Sequence, residues 1–407
     1  MVINRLWAIV LAFALLIGVW LRSAPLALAG AFGLLLGGLE LLWTERCFEG
    51  VSYERKLDVT QASFGQSVQL TLRFANRKLL PLTWVEADDR VPDQLPIEPG
   101  TTVRGGLAAR SLHLRNLLRL LPYEQVTRRY SIHCRRRGVF EFGPSWLETG
   151  DLLGYASRVQ EYTRVDRLMV YPKVFELDLP PPRAQRLIGR QRADRVILTD
   201  PSRMVGVRSY QTGDPLRHVE WRSSARAGEL LVRVFEPTTE PALAIFLDFN
   251  TPGDYWRDDT QPELEFAISL AASLAKWAND RHYPFGLFGN GSRGDLGGAV
   301  RVPLASDPEQ FRRVLEILAL ALPYHETSIG PLLSREAARL PAEASVVLVT
   351  AALDPELAPW LHAVRGRALT VLAVSSSFGC ASLPGVPVVP VPYLDGWTEL
   401  EHVALHA

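Results

Sequence analysis

The sequence predicts a multidomain chain with two transmembrane helices, an antiparallel β-sandwich and an α/β domain with a doubly wound, mostly parallel sheet. Three features of the 407 residues support this fold class: two apolar runs near the amino terminus, strands of period two after residue 50, and strands that alternate with amphipathic helices after residue 200. The predicted boundaries are 1–46 for the helical hairpin, 47–176 for the sandwich, 177–200 for a linker, and 201–407 for an arginine-rich segment plus the α/β domain.

Composition limits the classes of function. The chain is 47% hydrophobic and 22% charged, which permits large packed cores. Its formal net charge of +0 argues against attraction of the whole protein to nucleic acid. Cys47, Cys134 and Cys380 are widely spaced and odd in number, so they predict neither a disulfide framework nor a metal cluster.

The amino terminus predicts a membrane hairpin. Residues 6–21 and 26–43 are apolar, and each run is close to the ~20 residues that span a bilayer as a helix. A signal peptide would be followed by a cleavage site and a polar mature protein, whereas here a second apolar run follows at once. The short break at residues 22–25 requires the two helices to run antiparallel.

The flanking charges predict the orientation of this hairpin. Arg5, Arg46, Arg55 and Lys56 lie on the side of the chain ends, against Arg22 alone in the short loop. Because basic residues remain on the cytoplasmic side, we expect a two-pass protein of the cell membrane with cytoplasmic soluble domains.

The next region predicts an antiparallel sandwich. Apolar and polar residues alternate over 68–74 and again over 130–134, with turn residues between the runs. The arginines at 128–129 and 135–137 would point to opposite faces of their strands, which favours solvated faces over a nucleic-acid surface. Contact with anionic lipid headgroups is a secondary interpretation of these arginines.

After the proline- and arginine-rich linker, the pattern becomes α/β. Residues 242–249 are a short apolar run, which is typical of a buried strand in a parallel sheet. An amphipathic helix is predicted to begin near Pro262, and further strands are predicted at 345–350 and 368–374. In such folds functional loops lie at the carboxyl ends of the strands.

One candidate metal site lies at that edge. Asp248, Asn250 and Thr251 follow the first strand, while Thr327 precedes a helix and Thr350 ends a central strand. Oxygen ligands of this kind suit Mg²⁺ or Ca²⁺. The alternatives are helix capping by the threonines and a strand-end hydrogen-bond acceptor role for Asp248, since only one carboxylate is well placed.

Other catalytic patterns are incomplete. The sequence has no nucleophile elbow and no Walker loop, and glycine-rich residues 286–298 lie between two strands and predict a hairpin. His218 and Glu220 allow an acid–base pair, but a salt-bridged turn with Trp221 buried is the favoured interpretation. We therefore predict that the chain is not an enzyme.

The most informative stretch is residues 206–236, here called the signature segment. It holds five arginines, four carboxylates and one tryptophan, with a turn at Gly213-Asp214-Pro215. This mixture predicts either an interlocked ion-pair network or a binding surface. The candidate residues are Gly213, Asp214, Arg217, Glu220, Trp221, Arg222, Arg226, Glu229 and Arg233.

The signature segment resembles the motif of the bacterial family called domain of unknown function 58. Glu220 replaces the usual aspartate before the tryptophan, and Ser209 stands where an acidic residue often precedes the tyrosine. The family's order of parts is similar to this chain throughout: paired membrane helices, a β-rich region ending in Arg136-Arg137-Gly138, the motif, and a von Willebrand factor A-like (Rossmann-like) domain.

The resemblance implies a partner and a degraded metal site. Family members are encoded beside MoxR-type AAA+ ATPases and often beside membrane-bound transglutaminase-like proteins. Von Willebrand A domains hold a metal through an Asp-x-Ser-x-Ser loop, a distant threonine and a distant aspartate. Asp248 and Thr327 match two of these positions, whereas Asn250 and Pro252 replace the serines and Ala351 stands at the aspartate position.

These expectations favour a membrane-anchored adaptor that works with a MoxR-type ATPase in assembling or activating a membrane or envelope complex. The alternatives are a metal-dependent enzyme acting on envelope material, with Mg²⁺ as the candidate cofactor, and a structural subunit of a membrane complex.

Overall fold

The computed structural model forms two compact units, Met1–Tyr171 and Pro172–Ala407. It describes residues 2–99, 102–104, 111–150, 157–178, 199–212, 214–237, 242–250, 262–294, 297–325, 327–341, 344–364, 367–375, 386–393 and 396–404. Most of the predicted linker and the predicted metal-loop residues Thr251 and Pro252 lie outside the described residues, as does Gly213 of the signature segment.

The first unit begins with helices α1 (Val2–Trp20) and α2 (Ala24–Glu45). They pack closely because two glycines lie between them: a Cβ on Gly18 would come within 2.4 Å of the Ala27 nitrogen, and one on Gly30 within 2.6 Å of the Leu15 nitrogen. These contacts show that the two helices run antiparallel. Within the described part of the chain, no helix combines the length and the apolar character that crossing a membrane requires.

The rest of the first unit is built from short strands. They are β1 (Val51–Leu57), β2 (Gln61–Ala62), β3 (Ser67–Asn76), β4 (Leu82–Pro92), β5 (Ile97–Glu98), β6 (Thr102–Arg104), β7 (Ser111–Leu120), β8 (Gln125–His133), β9 (Gly138–Phe142), β10 (Ser145–Gly150), β11 (Ser157–Tyr162) and β12 (Asp166–Val170).

These strands form three sheets, ordered β1-β3-β8-β5, β11-β10-β4-β7-β6 and β2-β12-β9. Strand β3 buries every second residue, as its alternation predicts. Leu70 and Phe74 of β3 share one hydrophobic core with Leu114 of β7 and Phe140 of β9, so a single core joins the three sheets.

Arg55 is buried inside this β-rich region, where the sequence analysis expected a membrane-flanking charge. Its guanidinium donates from Nε to Asp166 at 2.9 Å and from Nη1 to Ser145 at 2.8 Å, and it pairs with buried Asp89 at 3.3 Å. Arg55 lies within β1, where its side chain points into the interior. Its guanidinium therefore faces the carboxyl groups of Asp89 and Asp166 inside the β-rich region.

The second unit alternates strands and helices. The strands are β13 (Glu176–Asp178), β14 (Thr199–Ser209), β15 (Leu231–Pro237), β16 (Leu243–Leu247), β17 (Phe285–Arg293), β18 (Ala299–Ala305), β19 (Ala321–His325), β20 (Ser345–Thr350), β21 (Leu369–Ser375), β22 (Val388–Pro392) and β23 (His402–Ala404). The helices are α3 (Trp221–Ala227), α4 (Pro262–Asp280), α5 (Gln310–Leu320), α6 (Ile329–Ala337) and α7 (Ala358–Ala363), with 3₁₀ turns at Leu216–His218, Pro355–Leu357 and Trp397–Glu399.

The main sheet of this unit has the order β18-β17-β16-β20-β21-β22, with β19 also paired to β17. Strands β16, β17, β20, β21 and β22 are parallel, and β18 runs antiparallel to β17 as the glycine-rich hairpin predicts. Chain order runs outward from β16 on one side and from β20 on the other. The topological switch point, where such sheets bind ligands, therefore lies between these two strands.

Helices cover both faces of the main sheet. Ile245 and Leu247 face a core with α4 and α5, while Ala244 and Phe246 face a second core with α6 and α7. Residues 172–178 pack against this second unit, whereas the sequence assigns them to the end of the sandwich and the start of the linker. Phe175 joins the core that contains Ile245 and Leu247, and β13 pairs with β23.

Candidate functional site

The first candidate site is the carboxyl edge of the main sheet, here defined by Asp248, Asn250, Asn290, Thr327 and Thr350. Asp248 follows β16 directly, and its backbone N–H donates to the Val349 carbonyl of β20 at 2.9 Å. Its side chain is buried beside Thr350, the last residue of β20. The switch point of the sheet therefore carries a buried carboxylate.

The Asp248 carboxylate accepts hydrogen bonds on both oxygens. Asn290 donates from Nδ2 to Oδ1 at 3.0 Å, and the Asn250 backbone N–H reaches the same oxygen at 3.1 Å. The Thr350 hydroxyl lies 3.1 Å from Oδ2 and 2.8 Å from the Ala352 carbonyl, and its single proton can serve one of these acceptors at a time.

The orientation of the Asn290 amide is fixed by its other contacts. Its Oδ1 accepts from the Phe249 backbone N–H at 2.8 Å, and its Nδ2 also donates to the Thr327 carbonyl at 3.1 Å. Because the oxygen is committed to a backbone donor, the NH₂ group must face Asp248. A hydrogen-bond donor therefore faces Oδ1 of the Asp248 carboxylate.

This arrangement does not fit the predicted metal site. The structure brings Asp248, Asn250 and Thr327 to one edge, but Asn250 and Thr327 contribute main-chain groups there, and Thr327 has an exposed side chain. Buried Ala351 offers no carboxylate. In the described ranges, no three His, Cys, Asp or Glu side chains are grouped closely enough to hold a metal ion.

Asn290 was missed in the sequence analysis, although a signal was present. It stands in the sequence Gly289-Asn290-Gly291 inside β17. A Cβ on Gly291 would lie 2.7 Å from the Phe249 ring and one on Gly289 would lie 2.9 Å from it, so the glycines admit this ring. Glycine within a strand marks such close approaches, and the amide between them is therefore held against the edge.

The second candidate site is the signature segment, which is built on the β14–β15 hairpin. Asp214 accepts two hydrogen bonds from the Arg208 guanidinium, at 2.7 and 2.6 Å, and one from the Gln211 backbone N–H at 2.9 Å. The hydrogen bonds from Arg208 and then that from Gln211 lower the pKa of Asp214 below its usual value. These contacts close the turn at its exposed tip.

A second set of contacts fixes helix α3 to the hairpin. Glu220 pairs with Arg233 of β15, and its backbone N–H donates to the Leu231 carbonyl at 2.9 Å. The buried Ser224 hydroxyl donates to the Glu220 carbonyl at 2.8 Å and accepts from the Leu231 N–H at 2.8 Å. Gly228 then ends α3 with a φ of 74°, a conformation that favours glycine.

The candidate acid–base pair is not assembled by these contacts. Arg233 holds the Glu220 carboxylate, and the Arg217 Nε lies 3.3 Å from the His218 Nε2. Each side chain of the pair therefore faces an arginine, and Glu220 forms a salt bridge with Arg233.

The expected burial of Trp221 is wrong: its side chain is 64% exposed. Buried Val219, Val232 and Ser224 take the inner positions of the segment. Arg222 and Arg226 are exposed beside it and pair with no carboxylate among the described residues, and Glu229 only approaches the Ser209 hydroxyl at 3.4 Å. The segment thus combines an internal network with an unpaired outer surface.

Comparisons with known proteins support the resemblance of the signature segment. Residues 206–389 match the family described as "Protein of unknown function DUF58". The chain is 24% identical over 345 residues to the "Uncharacterized protein YeaD" of Bacillus subtilis (strain 168), covering 83% of this chain and 79% of that protein. Neither description carries an activity or a partner.

Similar solved structures cover less of the chain. The CARDB domain of a Pyrococcus furiosus protein is 11% identical with a TM-score of 0.20, and covers 30% of this chain and 91% of that domain. A cohesin module of a Clostridium perfringens glycoside hydrolase is 6% identical with a TM-score of 0.21, and covers 30% of this chain and 96% of the module. At these TM-scores neither structure bears on function.

Proposed function

We propose that this chain is a membrane-anchored, non-enzymatic adaptor that docks a MoxR-type AAA+ ATPase through the outer surface of its signature segment. The observation that carries the proposal is the exposed cluster of Trp221, Arg222 and Arg226 on α3. Tryptophan and arginine are the side chains most often responsible for binding energy at protein interfaces. The partner itself follows from the family resemblance and not from the geometry.

The charge arrangement on α3 supports docking over a purely structural role. Arg208 and Arg233 are both used inside the segment, in ion pairs with Asp214 and Glu220. Arg222 and Arg226 are four residues apart on a helix, where like charges repel by about 0.2–0.5 kcal/mol. A partner carboxylate would relieve this repulsion, so we expect an acidic surface on the ATPase.

The proposed anchor is the helical pair α1–α2 in a bilayer, with both chain ends and the soluble units on the cytoplasmic side. Large apolar side chains point outward along both helices, and those of Phe13, Leu16, Leu28 and Phe32 are each more than half exposed. Lipid is a suitable cover for such a surface. Close backbone contact at Gly18 and Gly30 is also typical of helices that associate in membranes, where small residues let backbones approach.

The alternative of a metal-dependent enzyme acting on envelope material is weakened by the carboxyl edge. The Asp248 carboxylate is engaged by Asn290 and Asn250, and the described residues contain no group of three His, Cys, Asp or Glu side chains that could hold a metal ion. A structural subunit of a membrane complex remains the second alternative, and it differs from the adaptor by having no ATPase partner.

The test is a binding measurement with purified proteins. The detergent-solubilised chain is titrated with the MoxR-type ATPase of the same organism, and dissociation constants are compared for wild type, Arg226→Ala and Arg217→Ala. We expect Arg226→Ala to weaken binding at least about tenfold, since interface hot spots contribute more than ~1–2 kcal/mol. Arg217→Ala should weaken it less, because Arg217 already contacts His218.

The matched control is Arg312→Ala, an exposed helical arginine that pairs with Glu309 and Glu316 on α5. It should leave binding unchanged. Equal affinities for Arg226→Ala and wild type would show that the outer surface of α3 is not the docking face. Absence of binding by the wild type would rule out the ATPase as the partner and favour the structural subunit.

A further inference from the structure

Two loops of the first unit form one surface at the end of α2. They comprise residues 77–81, between β3 and β4, and residues 121–124, between β7 and β8, and are here called the loop pair. Buried Asn76 ties them together, since its Nδ2 donates to the Leu80 carbonyl at 2.9 Å and to the Leu121 carbonyl at 3.0 Å. The Tyr123 N–H adds a bond to the Lys78 carbonyl at 3.3 Å.

The loop pair is fixed to the point where α2 ends. The Lys78 ammonium donates to the Arg46 carbonyl at 2.7 Å and also to the Cys47 carbonyl. The Arg77 N–H donates to the Gly50 carbonyl at 2.8 Å. These hydrogen bonds tie the loops to residues 46–50, the turn that follows α2.

The loop pair exposes apolar side chains that the fold does not use. Leu79 is 75% exposed, Tyr123 is 71% exposed and Leu121 is 49% exposed. Tyr123 also has a φ of 57°, a conformation that is uncommon for a bulky residue. Arg46 and Arg77 are exposed beside them. Aromatic and apolar tips with basic neighbours are typical of a membrane–water interface.

We propose that the loop pair contacts the surface of the bilayer in which α1 and α2 are anchored, with Leu79, Leu121 and Tyr123 in the headgroup region and Arg46 and Arg77 near anionic phosphates. This rests on the proposed membrane anchor. The exposed apolar side chains of α2 extend as far as Leu39, and the loop pair contacts Arg46 and Cys47 just beyond the end of that helix. The contact would fix the β-rich region against the membrane.

The test uses the full chain in vesicles of phosphatidylcholine and phosphatidylglycerol. A spin label is placed at Leu79→Cys and, as a control, at Ser63→Cys, both in a Cys380→Ser background, because Cys47 and Cys134 are buried. These positions lie beyond opposite ends of the ten-residue strand β3, roughly 30 Å apart at about 3.4 Å per residue. Collision rates with oxygen, which dissolves in lipid, and with a water-soluble nickel complex are measured.

We expect the label at position 79 to collide more with oxygen and less with nickel than the label at position 63, and a label at Leu121→Cys to behave like that at 79. The inference is overturned if the chain floats with the vesicles but all three labels collide with nickel equally. Shielding of position 79 from both reagents would assign the loop pair to a protein partner and also overturn it. If the chain does not float with the vesicles, the proposed membrane anchor itself is wrong.

Discussion

Replacement of Asn290 distinguishes a hydrogen-bonded carboxyl edge from a cation site. Asn290→Ala would leave the Phe249 N–H without its side-chain acceptor, and an unsatisfied buried donor costs about 1–3 kcal/mol. It would also remove a hydrogen bond to the buried Asp248 carboxylate, and bonds to charged groups contribute about 1.5–3 kcal/mol. The expected loss of stability in the second unit is therefore about 3–5 kcal/mol.

Asn290→Asp is the sharper variant. It keeps an acceptor for the Phe249 N–H but replaces the donor to Asp248 with a second carboxylate at close range. Without divalent cations we expect a loss of about 3 kcal/mol, because a charge-assisted bond is lost and two like charges are buried together. With Mg²⁺ at a hundredfold excess over its dissociation constant, about 2.7 kcal/mol should return.

The assay is hydrogen exchange of peptides from β16 and β20, measured by mass spectrometry, because it reports on the second unit separately from the first. A loss of 3 kcal/mol corresponds to roughly 100-fold faster exchange. Asn279→Ala, at the end of α4, is the control and should change little. If Mg²⁺ slows exchange in the wild type as much as in Asn290→Asp, the edge is a metal site and the reasoning is wrong.

Two further predictions concern the signature segment. Ser224→Ala should leave the Leu231 N–H without a partner and cost about 1–3 kcal/mol, seen as roughly 5- to 140-fold faster exchange of that amide, while Ser223→Ala should have little effect. Because Arg208 and the Gln211 N–H lower the pKa of Asp214, its contribution to stability is present above the ordinary carboxyl pKa and is lost as the pH falls through the lowered value. The protection factor of the Gln211 amide, which is the ratio of the exchange rate of an unprotected amide to its own rate at the same pH, should therefore fall as the pH drops below about 4. In Asp214→Asn this protection should already be low and should not show this dependence.

The elements of the second unit follow closely from sequence patterns. The apolar run at 242–249 contains β16, α4 begins at the predicted Pro262, and the glycine-rich run forms the β17–β18 hairpin. These elements are predictable because each carries its own periodicity or turn residues. Strand β19 was not predicted, because it follows α5 directly and its strand character depends on pairing with β17.

The side-chain contacts of the two candidate sites were less predictable. Asn290 lies 42 residues from Asp248 in the chain, and its role depends on which strands are neighbours at the switch point. Arg55 illustrates the same limit, because its partners Asp89, Ser145 and Asp166 come from separate strands. Local patterns determine where strands begin and end, whereas partners of a polar side chain depend on the register between strands.

The incorrect expectation for Trp221 changes how the signature segment is interpreted. With Trp221 buried, the segment would be a closed network that its own ion pairs explain. Instead Val219, Val232 and Ser224 fill the interior, while Arg208 and Arg233 close the network without Arg222 or Arg226. An exposed tryptophan beside two arginines that pair with no carboxylate in the described ranges gives little to folding, yet it is the combination that interfaces use most. The internal network therefore holds α3 in place, and the outer face of α3 is the surface to test for binding.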